Sequence, residues 1–298
     1  MNGNQSRAIF IFGCGYLGSH LAKVLIEQGY SVGALTRNKQ TANKLLAIGA
    51  QEVVVSQIES EDWHSMIKKD YTIILNCVSS AGGGIDGYRK SYLEGQRSVL
   101  NWLKGKVVET YIYTSSTSVY PSDSGEWVDE ASETISGTKC PASIIVESEK
   151  AILENSSLFK NYFILRLSGI YGPGRHYLLD QLNRGDIIAG SGSHYLNMIY
   201  LQDIVHMLCE LMFGNCSIPS GIYNLSDDEP VIKQELADWL GRKLNIGSPT
   251  FDSEKLSKRH LIRNSKPKNR RISNQKLRAY LNLKYPTFRE GYQAILGH

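Results

Sequence analysis

An α/β fold with a doubly wound parallel sheet is the class that this sequence predicts. Three observations support that prediction. Short apolar runs alternate with helix-like segments, a glycine-rich turn follows the first run, and a cluster of hydroxyl residues follows a later one. Strands that are apolar along almost their whole length are buried on both faces, which is typical of a parallel sheet covered by helices on both sides.

The predicted elements follow from residue type and periodicity. Six runs rich in β-branched and aromatic residues are predicted to be strands: Ala8–Phe12, Ser31–Leu35, Glu52–Val55, Thr72–Val78, Thr110–Thr114 and Tyr162–Leu167. Helices are predicted where apolar residues recur every three or four positions: Leu17–Gln28, Lys39–Ile48, Ile85–Leu103 and Ile144–Asn155.

Composition limits the class of protein. The 298 residues can form one large domain or a main domain with an added lobe. No apolar run approaches the roughly 20 residues of a membrane span, and the polar first residues are not expected to be a secretory signal. Scattered cysteines without a C-x-x-C pair favour reduced thiols and a cytoplasmic location over disulfides or a metal site. They are Cys14, Cys77, Cys140, Cys209 and Cys216.

Positive charge is concentrated near the C-terminus. The formal net charge is +4, but Lys255–Arg278 holds ten Lys or Arg and no acid, so the rest of the chain sums to 4 − 10 = −6. Such a run can meet the phosphates of a substrate or a nucleic acid, or can be a solvated surface. It lacks the interleaved aromatic residues of a single-strand binding platform. A small anionic substrate is therefore favoured, and nucleic acid is not.

The glycine-rich turn is the strongest functional motif. Gly13-Cys14-Gly15-Tyr16-Leu17-Gly18 follows a predicted strand and opens a predicted helix. In that context Gly13 permits a tight turn, Gly15 lets the backbone approach a pyrophosphate, and Gly18 allows close packing of helix and strand. The helix N-terminus adds unpaired N–H groups and a partial positive charge. The motif predicts a dinucleotide site in a Rossmann-type sheet.

The end of the second predicted strand favours NADP over NAD. An acidic residue there would accept hydrogen bonds from the adenosine 2′-hydroxyl, but the sequence has Thr36-Arg37. A hydroxyl and a guanidinium suit the 2′-phosphate of NADP. The alternative is that Arg37 stacks on the adenine or points to water. The full set of residues predicted to contact the cofactor is Gly13, Cys14, Gly15, Tyr16, Leu17, Gly18, Thr36, Arg37, Cys77, Val78, Ser79, Thr114, Ser115 and Gly169.

Four motifs together resemble one protein family. They are the turn Gly13–Gly18, the run Thr114–Tyr120 (TSSTSVY), the segment Arg166–Arg175 (RLSGIYGPGR) and the segment Ile222–Pro230 (IYNLSDDEP). With these, the chain resembles the extended and atypical short-chain dehydrogenases/reductases, the NAD-dependent epimerase/dehydratase family. The closing RISN and YPTFREG motifs and the shortened glycine turn are similar to the subgroup often labelled YeeZ-like.

The resemblance implies an NAD(P)-dependent oxidoreductase with an unusual active site. Family members usually use a Ser or Thr hydroxyl with a Tyr-x-x-x-Lys pair, and the resemblance places that hydroxyl at Ser116. Counting from Tyr120 places Pro141 and Ile145 where the Tyr and Lys would stand, and no Tyr occurs from residue 121 to 161. Ser116, Thr117 and Tyr120 are the candidate catalytic residues, and Tyr88, Tyr92 and Arg175 are candidate substrate contacts. Buried structural roles are the alternative for the tyrosines.

The domain organisation and function follow as expectations. Residues 1–170 are predicted to form the NAD(P)-binding Rossmann domain, to which elements of 194–225 return. Residues 171–298 are predicted to form a smaller substrate-binding lobe with the basic segment. The expected function is an NAD(P)-dependent oxidoreductase or epimerase/dehydratase-like enzyme for a small polar, nucleotide-linked metabolite. The alternative is a non-catalytic NADP(H) sensor or assembly protein, and the resemblance implies a homodimer.

Overall fold

The structure is a computed structural model. It describes residues 7–80, 82, 84–137, 140–214, 217–255 and 268–297. The chain divides into two compact units whose segments alternate along the sequence. The first unit comprises the described residues up to Val119, together with Ile135–Arg166 and Leu208–Ile222. The second comprises Tyr120–Thr134, Leu167–Met207 and the described residues from Tyr223 onwards.

A seven-stranded sheet organises the first unit and reaches into the second through the last residues of two strands. Its strands are β1 (Ala8–Phe12), β2 (Ser31–Thr36), β3 (Glu52–Val55), β4 (Ile73–Asn76), β5 (Val108–Ser116), β7 (Phe159–Leu167) and β12 (Gly221–Leu225). Their order is β12-β7-β5-β4-β1-β2-β3. The four pairings from β3 through β5 are parallel, with Phe12 opposite both Leu35 and Asn76. The predicted α/β class with a central parallel sheet flanked by helices is confirmed.

Burial on both faces explains why these strands are so apolar. In β1, Ile9, Phe10, Ile11 and Phe12 have no solvent exposure, although successive side chains point to opposite faces. One face joins an aromatic core in which Phe12 lies edge-on to Trp63 and Trp102 at centroid distances of 5.0 and 5.8 Å. Each aromatic ring that is fully buried contributes about 2–3 kcal/mol of transfer free energy, so this core is a major stabilising element.

The helices of the first unit lie close to their predicted positions. They are α1 (Tyr16–Glu27), α2 (Lys39–Ala47), α3 (Gly84–Tyr88), α4 (Gly95–Leu103) and α5 (Pro141–Glu154). The predicted helix Ile85–Leu103 is interrupted, because Arg89–Glu94 forms a π-helical segment between α3 and α4. Periodicity could not reveal this interruption, since a π-turn shifts the apolar pattern by a single residue.

The second unit contains short strands and, among the described residues, five helices that lie wholly or partly in it. These elements pack around a core of their own. Its strands pair as β8 (Gly169–Tyr171) with β11 (Met198–Tyr200), β9 (Ile188–Ala189) with β14 (Phe251–Asp252), β10 (Tyr195–Leu196) with β13 (Val231–Ile232), and β6 (Trp127–Val128) with β15 (Arg271–Ile272). Helices α6 (Tyr177–Asn183), α8 (Lys233–Lys243), α9 (Gln275–Arg278) and α10 (Phe288–Leu296) belong to it, and α7 (Leu201–Phe213) begins in it. The predicted domain limits at residues 170 and 171 stay a prediction.

Two expectations from the sequence concern membrane-spanning segments and the basic run near the C-terminus. Within the described ranges, no helix is long and apolar enough to cross a membrane. The basic run Lys255–Arg278 lies largely outside the described residues, because 256–267 are not among them.

Candidate functional site

The glycine turn connects β1 to α1 with the geometry that the motif predicts. Gly13 has a φ of +92°, and a Cβ there would lie 2.7 Å from the backbone N of Val78. At Gly18 a Cβ would lie 2.3 Å from the Gly13 carbonyl oxygen. Both positions therefore require glycine, one for its backbone conformation and both for close approach of neighbouring backbone.

Gly15 differs from the other two glycines because nothing occupies the space in front of it. It is exposed, it is the N-cap of α1, and a Cβ built there would meet no atom within 4 Å. The first turn of α1 contains no acidic residue. The start of a twelve-residue helix, where N–H groups lack partners within the helix, thus has open space beside Gly15 and no carboxylate in its own first turn. The residues present fit the pyrophosphate of a dinucleotide.

Side chains hold the carbonyl groups of this turn. The Cys77 thiol donates to the carbonyl oxygens of Gly13 at 3.0 Å and Phe12 at 3.4 Å. The Ser19 hydroxyl donates to the carbonyl oxygen of Cys14 at 2.8 Å. Burial raises the pKa of the Cys14 thiol to about 12, so this thiol is protonated at neutral pH and is a packing residue.

The end of β2 presents an exposed cation at the same edge of the sheet. Thr36 is buried, and its hydroxyl oxygen accepts a hydrogen bond from the Asn38 backbone N–H at 3.3 Å. Asn38 then caps α2 by accepting from the Thr41 N–H at 3.0 Å. Arg37 stands between them and is exposed. The side chain available to a ligand at this strand end is therefore a guanidinium and not a carboxylate.

A buried amide network fixes the end of β4. The Asn76 side chain donates to Gln96 Oε1 at 2.9 Å, and the Tyr111 hydroxyl donates to the same oxygen at 2.9 Å. Asn76 Oδ1 also accepts from the Val78 N–H at 3.2 Å. The predicted contacts Val78 and Ser79 therefore follow a rigid strand end, and Ser79 is exposed there.

Only part of the hydroxyl run after β5 is accessible. Thr114, Ser115 and Thr117 are buried, whereas Ser116 is partly exposed. The Ser116 Oγ accepts a hydrogen bond from the Ser118 N–H at 3.2 Å. That bond uses an acceptor site of the hydroxyl and not its proton. Ser116 and Ser118 are thus the partly exposed hydroxyls of this run, and Ser116, the last residue of β5, is the one that the family resemblance makes the substrate contact.

A buried ion pair lies directly behind this run. Arg166 on β7 binds Glu149 on α5 with two parallel hydrogen bonds, Nη2 to Oε2 at 2.7 Å and Nε to Oε1 at 3.0 Å. The Ser115 hydroxyl also donates to Glu149 Oε1. Both charged side chains are at most 4% exposed. The predicted site residues do not include this group, although a glutamate beside the helix face of Ile144, Ile145, Ser148 and Ile152 is a signal in the sequence that points to a buried charge.

Helix α5 begins at Pro141, three residues before the predicted start at Ile144. Proline suits the first helical position because its missing N–H would have no partner there. Ile145 lies one turn further and is 2% exposed, inside the apolar core. At these two positions the chain thus has a helix-starting residue and a core residue.

The two candidate tyrosines of the first unit form a stacked pair. Tyr88 ends α3 and Tyr92 lies in the π-helical segment, and their ring centroids are 5.3 Å apart with an angle of 21° between the planes. Tyr88 is buried and Tyr92 is half-buried. π-Helical segments are frequent at functional sites because they redirect neighbouring side chains.

The remaining predicted residues belong to the second unit. Tyr120 is fully buried and its hydroxyl donates to Asn224 Oδ1 at 2.7 Å, so its proton already has an acceptor. Gly169 begins β8 and its N–H donates to the Asn197 carbonyl at 2.9 Å. Arg175 is exposed and closes a turn in which its backbone exchanges two hydrogen bonds with Gly172.

Comparison with known proteins relates this chain to a protein family. A model of the NAD dependent epimerase/dehydratase family matches residues 9–225. Protein YeeZ of Escherichia coli (strain K12) is 24% identical over 261 residues, covering 82% of this chain and 86% of that protein. The human sterol-4-alpha-carboxylate 3-dehydrogenase, decarboxylating, is 24% identical over 270 residues, covering 84% of this chain and 70% of that protein.

Solved structures agree with the fold. A putative NAD-dependent epimerase/dehydratase from Methylobacillus flagellatus has a TM-score of 0.75 and 27% identity, and the match covers 98% of both chains. The UDP-glucuronic acid 4-epimerase of Bacillus cereus in complex with NAD has a TM-score of 0.78 at 19% identity, covering 97% of this chain and 96% of that one. The family match extends over more than half of the sequence, from β1 to the end of β12. The chain belongs to the NAD-dependent epimerase/dehydratase family, a group of Rossmann-fold oxidoreductases related to the short-chain dehydrogenases/reductases.

Proposed function

We propose that this protein binds NADP(H) in preference to NAD(H) and transfers hydride between that cofactor and a small polar, anionic metabolite. The observation behind the proposal is that the open space over Gly15 and the partly exposed Ser116 belong to the same compact unit, at the carboxyl ends of β1 and β5. Ligands of open α/β sheets bind at this edge. Nucleotide-linked compounds are the first substrates to test, because similar structures are described with UDP-glucuronic acid or UDP-glucose.

The proposed chemistry divides between cofactor and protein. A bound nicotinamide supplies the hydride donor or acceptor. The backbone N–H groups at the start of α1 bind the pyrophosphate, and Arg37 binds the 2′-phosphate. Ser116, with Thr117 beside it, holds the substrate oxygen. Because Pro141 and Ile145 have no group that can exchange a proton, a tyrosine such as Tyr92 or a water molecule exchanges it instead.

Replacing Arg37 tests the cofactor preference. Arg37→Ala should weaken NADPH binding about 10- to 150-fold, because a charge-assisted hydrogen bond to a phosphate contributes about 1.5–3 kcal/mol. NADH affinity should change less than twofold. Titration of both nucleotides by fluorescence or calorimetry measures this. Lys44→Ala removes another exposed cation of the neighbouring helix α2 and serves as the control. Equal NADPH and NADH affinities of the unaltered protein would remove the NADP assignment.

Replacing Ser116 tests the reaction. Ser116→Ala should lower turnover about 100-fold or more, the usual cost of losing one donor to a reacting oxygen, while NADPH affinity stays within about twofold. Oxidation of NADPH against a panel of carbonyl compounds and UDP-sugars gives the rates, and Ser118→Ala is the matched neighbour. A Ser116→Ala variant with full turnover would exclude this hydroxyl from the mechanism.

The second candidate function is an NADP(H) sensor or assembly protein without catalysis. It is favoured by the Pro141 and Ile145 positions, where no proton-transfer group stands. Tight NADPH binding with no turnover on the whole panel would support it over the enzyme. We also propose a cytoplasmic location, because Cys14, Cys77, Cys140 and Cys209 form no disulfide in the part of the chain that the structure describes, and a homodimer, which the family resemblance implies.

A further inference from the structure

A thiol from a distant part of the sequence contacts the cofactor-binding turn. Cys77 follows β4 directly, and its backbone N–H donates to the Phe12 carbonyl at 2.9 Å, continuing the sheet pairing. The Sγ then lies 3.0 Å from the Gly13 carbonyl oxygen. A Cβ at Gly18 would also lie 3.0 Å from this sulfur. The thiol therefore lies between the first and the last glycine of the motif.

The direction of the Gly13 carbonyl explains why this contact matters. Because a Cβ at Gly18 would lie 2.3 Å from that oxygen, the carbonyl points into the protein, towards α1. The Cys14 carbonyl is directed similarly, since it accepts from the Ser19 hydroxyl at 2.8 Å. A carbonyl oxygen directed at a phosphate would repel it. Two successive carbonyls are thus held by side chains on the protein side of the turn.

We propose that the Cys77 thiol and the Ser19 hydroxyl are positioning residues of the cofactor site, which hold the Gly13 and Cys14 carbonyls away from the bound pyrophosphate. The inference rests on the proposed cofactor site and adds two side chains that the glycine motif does not include. Their effect is preorganisation: the turn that exposes its N–H groups to the ligand exists before the ligand arrives, so binding does not have to order it.

The chemistry of the thiol suits this role. Burial raises the pKa of Cys77 well above its usual range, with a smaller contribution from Cys14. The sulfur therefore keeps its proton at neutral pH and remains a donor, and it would lose this bond only when the pH rises through the elevated pKa. A sulfur also fits the narrow space beside Gly18, where a larger side chain would collide with the turn.

Four single variants test the proposal. Cys77→Ala and Ser19→Ala should each raise the dissociation constant for NADPH about 3- to 10-fold, the range for losing one neutral hydrogen bond, with the thiol at the lower end as the weaker donor. Cys77→Ser restores a donor and should bind within about twofold of the unaltered protein. Cys209→Ser changes a thiol on α7 and should have no effect. Melting temperatures of the free proteins show whether any variant is misfolded.

An infrared measurement tests directly whether the Cys77 thiol donates a hydrogen bond before the ligand arrives. The S–H stretching band of Cys77 is the one that Cys77→Ala lacks. In the protein without ligand, this band should lie at the lower frequency of a hydrogen-bonded thiol. The proposal is overturned if that band has the frequency of a free thiol, if Cys77→Ala binds NADPH as well as the unaltered protein, or if Cys77→Ser binds as weakly as Cys77→Ala. If the unaltered protein binds neither NADPH nor NADH, the proposed function itself fails. That result differs from a failure of the positioning role, in which the unaltered protein binds NADPH and the variants bind it equally well.

Discussion

Replacement of Glu149 by alanine is expected to lower the free energy of unfolding by about 3–5 kcal/mol, the usual cost of breaking a buried ion pair by removing one partner. The variant leaves the Arg166 guanidinium buried without a counter-charge and removes the acceptor of the Ser115 hydroxyl. Urea unfolding followed by tryptophan fluorescence measures the effect, because Trp63 and Trp102 lie in the core of the first unit.

Two matched variants separate the ion pair from a general effect on α5. Glu154→Ala removes a carboxylate of the same helix that pairs with Lys150 at 3.7 Å on the surface, and it should change stability by less than about 0.5 kcal/mol. Replacing both partners, Glu149→Leu with Arg166→Met, should cost less than Glu149→Ala, because no unpaired charge remains. A Glu149→Ala protein as stable as Glu154→Ala would contradict the assigned role of the pair.

The second large effect is expected at Gly15. Gly15→Ala should reduce NAD(P)H affinity about 10- to 100-fold, because the added methyl group occupies the space that the pyrophosphate must enter, at a steric cost of about 1–3 kcal/mol. Stability should change by less than about 1 kcal/mol, since a Cβ at this exposed position would meet no atom within 4 Å. Nucleotide titration and thermal unfolding together measure both quantities.

Comparison with two other glycines makes this result specific. Gly18→Ala should destabilise the protein itself, because its Cβ would lie 2.3 Å from the Gly13 carbonyl oxygen. Gly247→Ala places a methyl group in open space on an exposed segment of the second unit and should leave both stability and affinity unchanged. Normal NADPH affinity of Gly15→Ala would show that the dinucleotide does not approach this turn.

The sequence was sufficient for features set by local rules. The strand before Gly13 and the helix after it follow from apolar periodicity and from glycine stereochemistry. Contacts between distant residues follow from neither rule. The bonds of Cys77 to Gly13 and of Arg166 to Glu149 depend on which strands become neighbours, which is a property of the whole sheet.

The candidate catalytic residues also have some features that local rules predict and others that depend on contacts between distant residues. Ser116 was identifiable from its place in the hydroxyl run after a strand, but its exposure relative to Thr114, Ser115 and Thr117 is a result of packing. Tyr120 illustrates the opposite case, because its acceptor Asn224 lies 104 residues further along the chain. A hydrogen-bond partner at that separation leaves no local signal in the sequence.

The alternation of the two units along the chain has a consequence for folding during synthesis. The first unit needs Leu208–Ile222, and β12, which begins at Gly221, forms the edge of its sheet beside β7. On a ribosome the chain emerges from the N-terminus, so the first unit cannot be completed until residue 222 of 298 has left the exit tunnel. Until then β7 presents an open edge, which is the kind of surface that chaperones shield from aggregation. Two segments of the second unit, Tyr120–Thr134 and Leu167–Met207, therefore leave the tunnel before the first unit is complete.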